Sequence, residues 1–289
     1  MATTYNYAPV PASTTWIEKA AAIGREIAAP VAAEVDEKAR FPKETLAALA
    51  QQGFLGLCLP KDFGGAGEAP RTFAAVVEEL AQYCGSSAMV YVMHVTASQA
   101  IVASTQHAEK AKVLKEIGAG KHLTTLAFSE KGSRSQFWMP CSKLQAQGDA
   151  FSTTAEKSWV TSAGHAQSYV SSAQSPTAGS PMESTLYLVD RSSKGLETVK
   201  PFNGLGLRGN DSAPVKMNNV AVGSGDLLTE NGKGAEMMLQ VVLPGSSWEL
   251  QQWPTDSAAR RSVPPARTSP EPVLTPAANC ATFLIYVLA

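Results

Sequence analysis

The chain has 289 residues, of which 44% are hydrophobic and 17% charged; this is longer than a single core ordinarily grows, and the low charge content predicts extensive burial. With 24 Lys+Arg against 25 Asp+Glu the net charge is -1, which excludes the electrostatic footprint of a nucleic-acid or anionic-membrane binder and leaves a small molecule as the expected partner.

The N-terminus, Met-Ala-Thr-Thr-Tyr-Asn-Tyr, lacks a basic start followed by an apolar core, and the apolar segment ending at Ala289 is too short to span a bilayer, so a cytoplasmic protein without membrane insertion is expected. From Thr14 to about Arg40 apolar residues (Trp16, Ile17, Ala20, Ile23, Ile27, Val31) recur at helical spacing, with Pro30 predicting a kink or break. A second helix is predicted from Lys43 to about Gln52, closed by Gly53 and followed by the turn Lys61-Asp62-Phe63-Gly64-Gly65-Ala66-Gly67. Helical patterning resumes over Arg71 to Tyr83, about Ser87 to Gln106, and Ala108 to Ile117, and stops at Gly118-Ala119-Gly120.

The period then changes. Leu123 to Phe128, Lys143 to Gln147, Ala150 to Thr161, Gln167 to Ala173, Ser184 to Asp190 and Val215 to Val222 are short segments rich in Val, Thr, Tyr, Phe and Trp between turn residues, which predicts strands. The fold class is therefore α+β: an N-terminal all-α domain over 1–121, a middle β-barrel-like domain over 122–233, and a truncated or aberrant C-terminal segment over 234–289. In that last part a helix begins near Gly234 and meets Pro244-Gly245. Six of the chain's 18 prolines fall between Pro254 and Pro276, a composition that predicts disorder and that resembles a shifted reading frame.

Gly204-Leu205-Gly206-Leu207-Arg208-Gly209 matches the dinucleotide pattern G-x-G-x-x-G but precedes Asn-Asp-Ser-Ala-Pro, not a helix that could receive a phosphate, so an interstrand loop is expected. His94 reads as a packed or capping histidine, and His107, His122 and His165 as loop residues; no second His, Cys or carboxylate stands at metal-ligand spacing, and no metal is expected. Cys58, Cys84, Cys141 and Cys280 are scattered and read as reduced thiols. Leu126 to Ser135 carries a β segment into a loop of small residues, which is either a surface turn or a place where backbone N–H groups approach an anion. Trp159 and Thr161 share one strand face, as a core pair or as an indole and a hydroxyl flanking a flat conjugated ring. Asp211 and Arg208 read as a turn and a surface pair, or as supports of a cofactor loop.

In order, four segments resemble the acyl-CoA dehydrogenase family: Leu59 to Gly65; Phe128 to Ser135, similar to the family's Thr-Glu-Pro-x-Ala-Gly-Ser loop; Lys157 to Thr161; and Gly206 to Ser212 leading into Val215 to Val222. The resemblance covers about residues 1–243. It implies an FAD-dependent oxidoreductase that dehydrogenates an acyl-CoA thioester between its α and β carbons, passing a hydride to flavin N5 and electrons on to an electron-transfer flavoprotein or another acceptor. It further implies that Leu126, Phe128 and Ser129 contact the flavin ring, that Ser135 reaches the FAD pyrophosphate and the substrate's pantetheine arm, that Trp159 packs on the flavin, and that Thr161 hydrogen-bonds near N5. Lys131 departs from the usual Pro, and Ser133 and Arg134 stand where Ala and Gly are common; Arg134 either adds an anion contact or crowds the loop. The resemblance places the carboxylate base in a C-terminal helical bundle. Glu249 and Glu271 lie in a Pro-rich context unsuited to that role, so the catalytic residue is unassigned, turnover is expected to be impaired, and the family's homo-oligomer is doubtful here. The rival readings are a flavin-dependent monooxygenase of the same architecture and a non-catalytic binding protein.

Overall fold

A computed structural model describes residues 14–134 and 136–244. The first helix, α1 (Thr14–Ile23), passes through a π-turn (Gly24–Ala28) into α2 (Ala29–Glu37). Pro30 therefore does not end the helix; the chain remains helical through it, and the missing N–H is accompanied by the π-type hydrogen bond from the Ala29 N–H to the Gly24 carbonyl just before it. Next come α3 (Lys43–Gln51), ended by Gly53 in the left-handed conformation, α4 (Pro70–Ala81), α5 (Gly85–Ala103) and α6 (Lys110–Gly118).

Apolar and small residues occupy every face of α5, so it cannot sit at the surface, and it forms the spine of the helical half. Fifteen of its 19 residues are buried, among them Tyr91, whose hydroxyl donates to the Phe54 carbonyl at 3.0 Å. The α4 helix shows the complementary pattern: Phe73, Val76, Val77 and Leu80 are buried, while Arg71 is exposed.

Two sheets follow. β1 (Thr124–Ala127), β4 (Ser168–Gln174) and β5 (Ser184–Asp190) form one, in the order β1-β4-β5 with β1 parallel to β4. β2 (Leu144–Gln147), β3 (Ala150–Val160), β7 (Ala213–Val222) and β6 (Leu196–Thr198) form the other, in the order β2-β3-β7-β6. β6 was not anticipated, because three residues are too few to establish an alternation. The three-stranded sheet is buried on both faces. Val170, Leu186 and Leu188 join the helical core around α5, while Tyr169, Tyr187 and Val189 join Val215, Met217 and Val220 between the sheets, which gives a barrel-like sandwich. After β7 the chain becomes helical again at α7 (Gly234–Met237) and a π-turn (Met238–Val242), and Met238 and Val242 return to the helical core.

The two halves are tied at specific places. The Phe41 ring stacks on His165 at 3.9 Å, and the Arg208 guanidinium donates to the carbonyls of Asp36 (2.8 Å) and Glu37 (3.4 Å) at the end of α2. A cation there is favourable because the last carbonyls of a helix lack intrahelical donors. The expected disordered end, with Glu249 and Glu271, lies outside the described residues.

Candidate cofactor site

A cleft of about 890 Å³ opens between the helical half and the sandwich. Three stretches build it: the loop leaving β1, the end of β3, and the loop 202–212 before β7. Met89 and Met93, one turn apart on α5, form its floor.

A register break brings the first two stretches together. β3 and β7 pair Lys157 with Val215 but Val160 with Ala213, so β3 carries one extra residue and Ser158-Trp159 leave the ladder. A bulge of this kind re-aims side chains next to a site. The freed Ser158 N–H donates to the Ser129 carbonyl at 2.8 Å, and Glu130 bridges to Lys157, which sews the β1 loop to β3. Trp159 is consequently 58% exposed and lies on the cleft wall, with its ring 3.9 Å from that of Phe202. The core reading of Trp159 is thereby excluded. Thr161 lies just beyond the strand, is buried, and has its hydroxyl 3.4 Å from that of Ser212.

Beneath the loop lies a buried ion pair that sequence reading missed. Lys157 is fully buried; its Nζ donates to Glu130 Oε1 at 2.6 Å and to the Ser172 carbonyl at 2.5 Å. The other Glu130 oxygen accepts from the N–H groups of Cys141 (2.8 Å) and Ser142 (2.7 Å), and the Ser142 hydroxyl donates to Oε1 at 2.5 Å. Burial alone would raise the Glu130 carboxyl, but the Lys157 charge and the hydrogen bonds from Lys157 and Ser142 outweigh it and hold the group below the usual carboxylate range. Parity along β3 could not have revealed it, because Lys157 shares its parity with the exposed Trp159 and only the bulge between Lys157 and Val160 separates them.

Leu126, Phe128, Ser129, Trp159 and Thr161 all line this one cleft. Ser135 lies outside the described residues. The fit to a flavin dinucleotide rests on the shape and chemistry of this wall: an exposed indole and apolar side chains for a flat ring system, hydroxyls at its edge, and cationic Lys131, Arg134 and Arg208 at the rim for an anionic end. Phe137, Phe202 and Val242 complete the apolar lining without having been singled out.

Gly204 to Gly209 forms an irregular loop closed by a short 3₁₀ turn (Arg208–Asn210) that leads into β7, as its lack of a following helix predicted. Asp211 and Arg208 do not pair with each other. Asp211 accepts from the Gly164 N–H at 2.7 Å, and Arg208 reaches α2. His94 is fully buried between the Leu55 carbonyl (3.1 Å from Nε2) and Thr124. Of the expected loop histidines, His122 is buried, 2.7 Å from the Ser168 hydroxyl. Among the described residues no group of three or more His, Cys, Asp or Glu could hold a metal ion, and no helix is long and apolar enough to cross a membrane.

Two family profiles match the chain: "Acyl-CoA dehydrogenase, N-terminal domain" over residues 13–121 and "Acyl-CoA dehydrogenase, middle domain" over residues 125–220. Among curated proteins it is similar to the 3-(aryl)acrylate reductase of Clostridium sporogenes (28% identity, covering 71% of this chain and 55% of that protein). It is likewise similar to the probable acyl-CoA dehydrogenase YngJ of Bacillus subtilis (28% identity, 73% and 56%). The chain thus spans about half the length of these relatives. Among solved structures, butyryl-CoA dehydrogenase from Megasphaera elsdenii superimposes with a TM-score of 0.81 at 18% identity, covering 98% of this chain and 76% of that one. A glutaryl-coenzyme A dehydrogenase in complex with glutaryl-CoA gives 0.78 at 20% identity, with coverage of 91% and 69%. At these identities the structural likeness speaks to the fold.

Proposed function

This chain belongs to the acyl-CoA dehydrogenase family, and on that premise we propose that its cleft holds FAD and an acyl-CoA thioester for α,β-dehydrogenation. The observation that carries the proposal is the convergence of Leu126, Phe128, Ser129, Trp159 and Thr161 on one cleft from two separate strands. Bound FAD would supply the two-electron acceptor, taking a hydride at N5, and an electron-transfer flavoprotein or similar acceptor would collect the electrons.

The chain's own residues bind and orient. The indole of Trp159 offers a planar surface, the backbone of Leu126 to Ser129 a rigid edge anchored through Glu130, and the Thr161 hydroxyl a hydrogen bond. Met89, Met93, Phe128 and Phe137 exclude water from the inner wall. Neither cleft carboxylate suits removal of an α-proton. Glu130 is committed to Lys157, and Glu156 stands exposed to solvent, whereas abstraction from carbon needs a carboxylate held against the substrate in a closed site. The base is therefore proposed to come from outside the described residues.

The test is anaerobic titration of the FAD-loaded protein with a panel of short, branched and long acyl-CoA thioesters, following flavin absorbance. Bleaching by a thioester supports the reading. A protein that takes up no flavin refutes it, and one whose flavin reacts with oxygen but never with a thioester points to the monooxygenase alternative.

A further inference from the structure

The charges that line the cleft are not balanced. Its carboxylates are Glu130 and Glu156, and its cations are Lys131, Arg134 and Arg208. Glu130 is already neutralised from behind by Lys157, and Arg208 is held by neutral acceptors: the carbonyls of Asp36, Glu37 and Gly204, and the Asn203 side chain. Lys131 and Arg134 are exposed, and neither has a carboxylate partner among the described residues. The result is a cleft with an apolar inner wall and three lining cations without a carboxylate partner among the described residues, of which Arg208 is fixed by neutral acceptors while Lys131 and Arg134 on the β1 loop are exposed.

The backbone beneath them adds an independent observation. Arg134 has φ of 55°, in the left-handed region, two residues after Gly132 at 106°. The turn is locked by Ser133, whose N–H and hydroxyl both donate to the Glu130 carbonyl (3.0 and 2.9 Å), and by the Gln136 N–H, which donates to the Ser133 carbonyl at 3.1 Å. A glycine would occupy the position of Arg134 without the clash between Cβ and backbone that any L side chain meets there. The turn itself therefore gains nothing from arginine. A side chain kept where glycine fits better is the pattern of a ligand clamp, in which local strain is tolerated because the side chain serves a site.

We propose that Lys131 and Arg134 form a phosphoryl-binding clamp at the rim of the cleft, Arg134 as the planar bidentate donor and Lys131 as a mobile point charge. The proposal rests on the reading of the cleft as a site for FAD and a CoA thioester. Both carry phosphoryl groups on one end and an apolar or planar group on the other, which matches a basic rim beside an apolar wall.

The experiment measures the affinities of FAD and of CoA by calorimetry for the wild-type protein and for Arg134→Gly, Arg134→Lys and Lys131→Gln, together with the melting temperature of each ligand-free protein. Arg134→Gly and Lys131→Gln should each weaken at least one of the two ligands about ten-fold, the size expected for one charge-assisted contact. Arg134→Lys should recover part of the loss, and Arg134→Gly should melt no lower than wild type. Loss confined to FAD assigns the clamp to the cofactor diphosphate, and loss confined to CoA assigns it to the carrier's phosphates. Unchanged affinities in both variants would overturn the clamp while leaving the functional reading intact. Equal losses in Arg134→Gly and Arg134→Lys with lowered melting temperatures would overturn it in favour of a purely structural loop residue. A wild-type protein that binds neither ligand would overturn both readings.

Discussion

Replacing Lys157 by Met removes the cation paired with a carboxylate that is itself 4% exposed. Breaking a buried pair by deleting one partner costs about 3–5 kcal/mol, because the remaining charge is left desolvated. Glu130 would keep its bonds from the Cys141 and Ser142 N–H groups and the Ser142 hydroxyl, which places the loss near the lower end, about 3 kcal/mol. For a domain of this size that is a fall in melting temperature of roughly 6–12 °C. Adding Glu130→Gln should recover part of it, since a neutral amide in place of the orphaned carboxylate has less to lose by burial. The pH dependence has a definite sign. In the wild type the Glu130 carboxyl is held below its usual 4.5, so its stabilisation is complete above that value and is lost as pH falls through the lowered one. In Lys157→Met, burial acts unopposed by the cation and raises the carboxyl, so the variant's deficit should shrink on acidification. Urea unfolding of the four members of the double-mutant cycle at pH 7 and near pH 4.5 checks this. Additive effects of the two single substitutions, or a loss below about 1 kcal/mol for Lys157→Met, would refute the coupling.

Trp159→Ala should weaken FAD binding roughly ten-fold while shifting the melting temperature little, because the indole is exposed but forms the cleft wall; flavin-fluorescence titration reads the first and a thermal melt the second. Gly209→Ala would place a Cβ 2.2 Å from Val35 Cγ1 and 2.8 Å from the Arg40 carbonyl, forcing α2 off the loop at a cost of about 1–3 kcal/mol. Val35→Ala in the same chain should restore part of that, and no rescue would mean that the clash is relieved elsewhere. His94 accepts from the Thr124 N–H at 3.1 Å and donates from Nε2 to the Leu55 carbonyl, which is a neutral tautomer. Burial drops it from 6.5 to about 4, so stability should fall as pH decreases through this window, by about 3 kcal/mol in total. Urea midpoints across the window should show that decline in the wild type and a shallower one in His94→Gln.

The sequence speaks most clearly where one physical cause dominates. α4 and α6 were legible because each buries a single stripe, and β5 was placed at its observed bounds, Ser184–Asp190, because its apolar run ends in Asp-Arg-Ser-Ser. At Pro30 the chain stays helical, but a π-turn immediately precedes it, where the Ala29 N–H reaches back to the Gly24 carbonyl, so the interruption expected there takes the form of a shifted hydrogen bond and not a broken helix. Of the residues that line the cleft, Leu126, Phe128 and Ser129 are singled out by a motif in one loop. Their convergence with Trp159 depends on the bulge between Lys157 and Val160, which period-two counting cannot see: on a regular ladder Lys157 and Trp159 would face the same way, yet one is fully buried and the other 58% exposed. The same bulge decides the chemistry. By turning Trp159 out while leaving Lys157 in, it puts a planar surface on the cleft and a cation behind Glu130 within three residues of chain. The loop that carries Phe128 and Ser129 is then fixed by a buried charge, and its outer face remains free to present Lys131 and Arg134 to a ligand. Deleting one residue between Lys157 and Val160 would regularise β3 and remove the bulge that re-aims Ser158 and Trp159, so the cleft wall should change while Lys157, still paired with Val215, keeps its place behind Glu130.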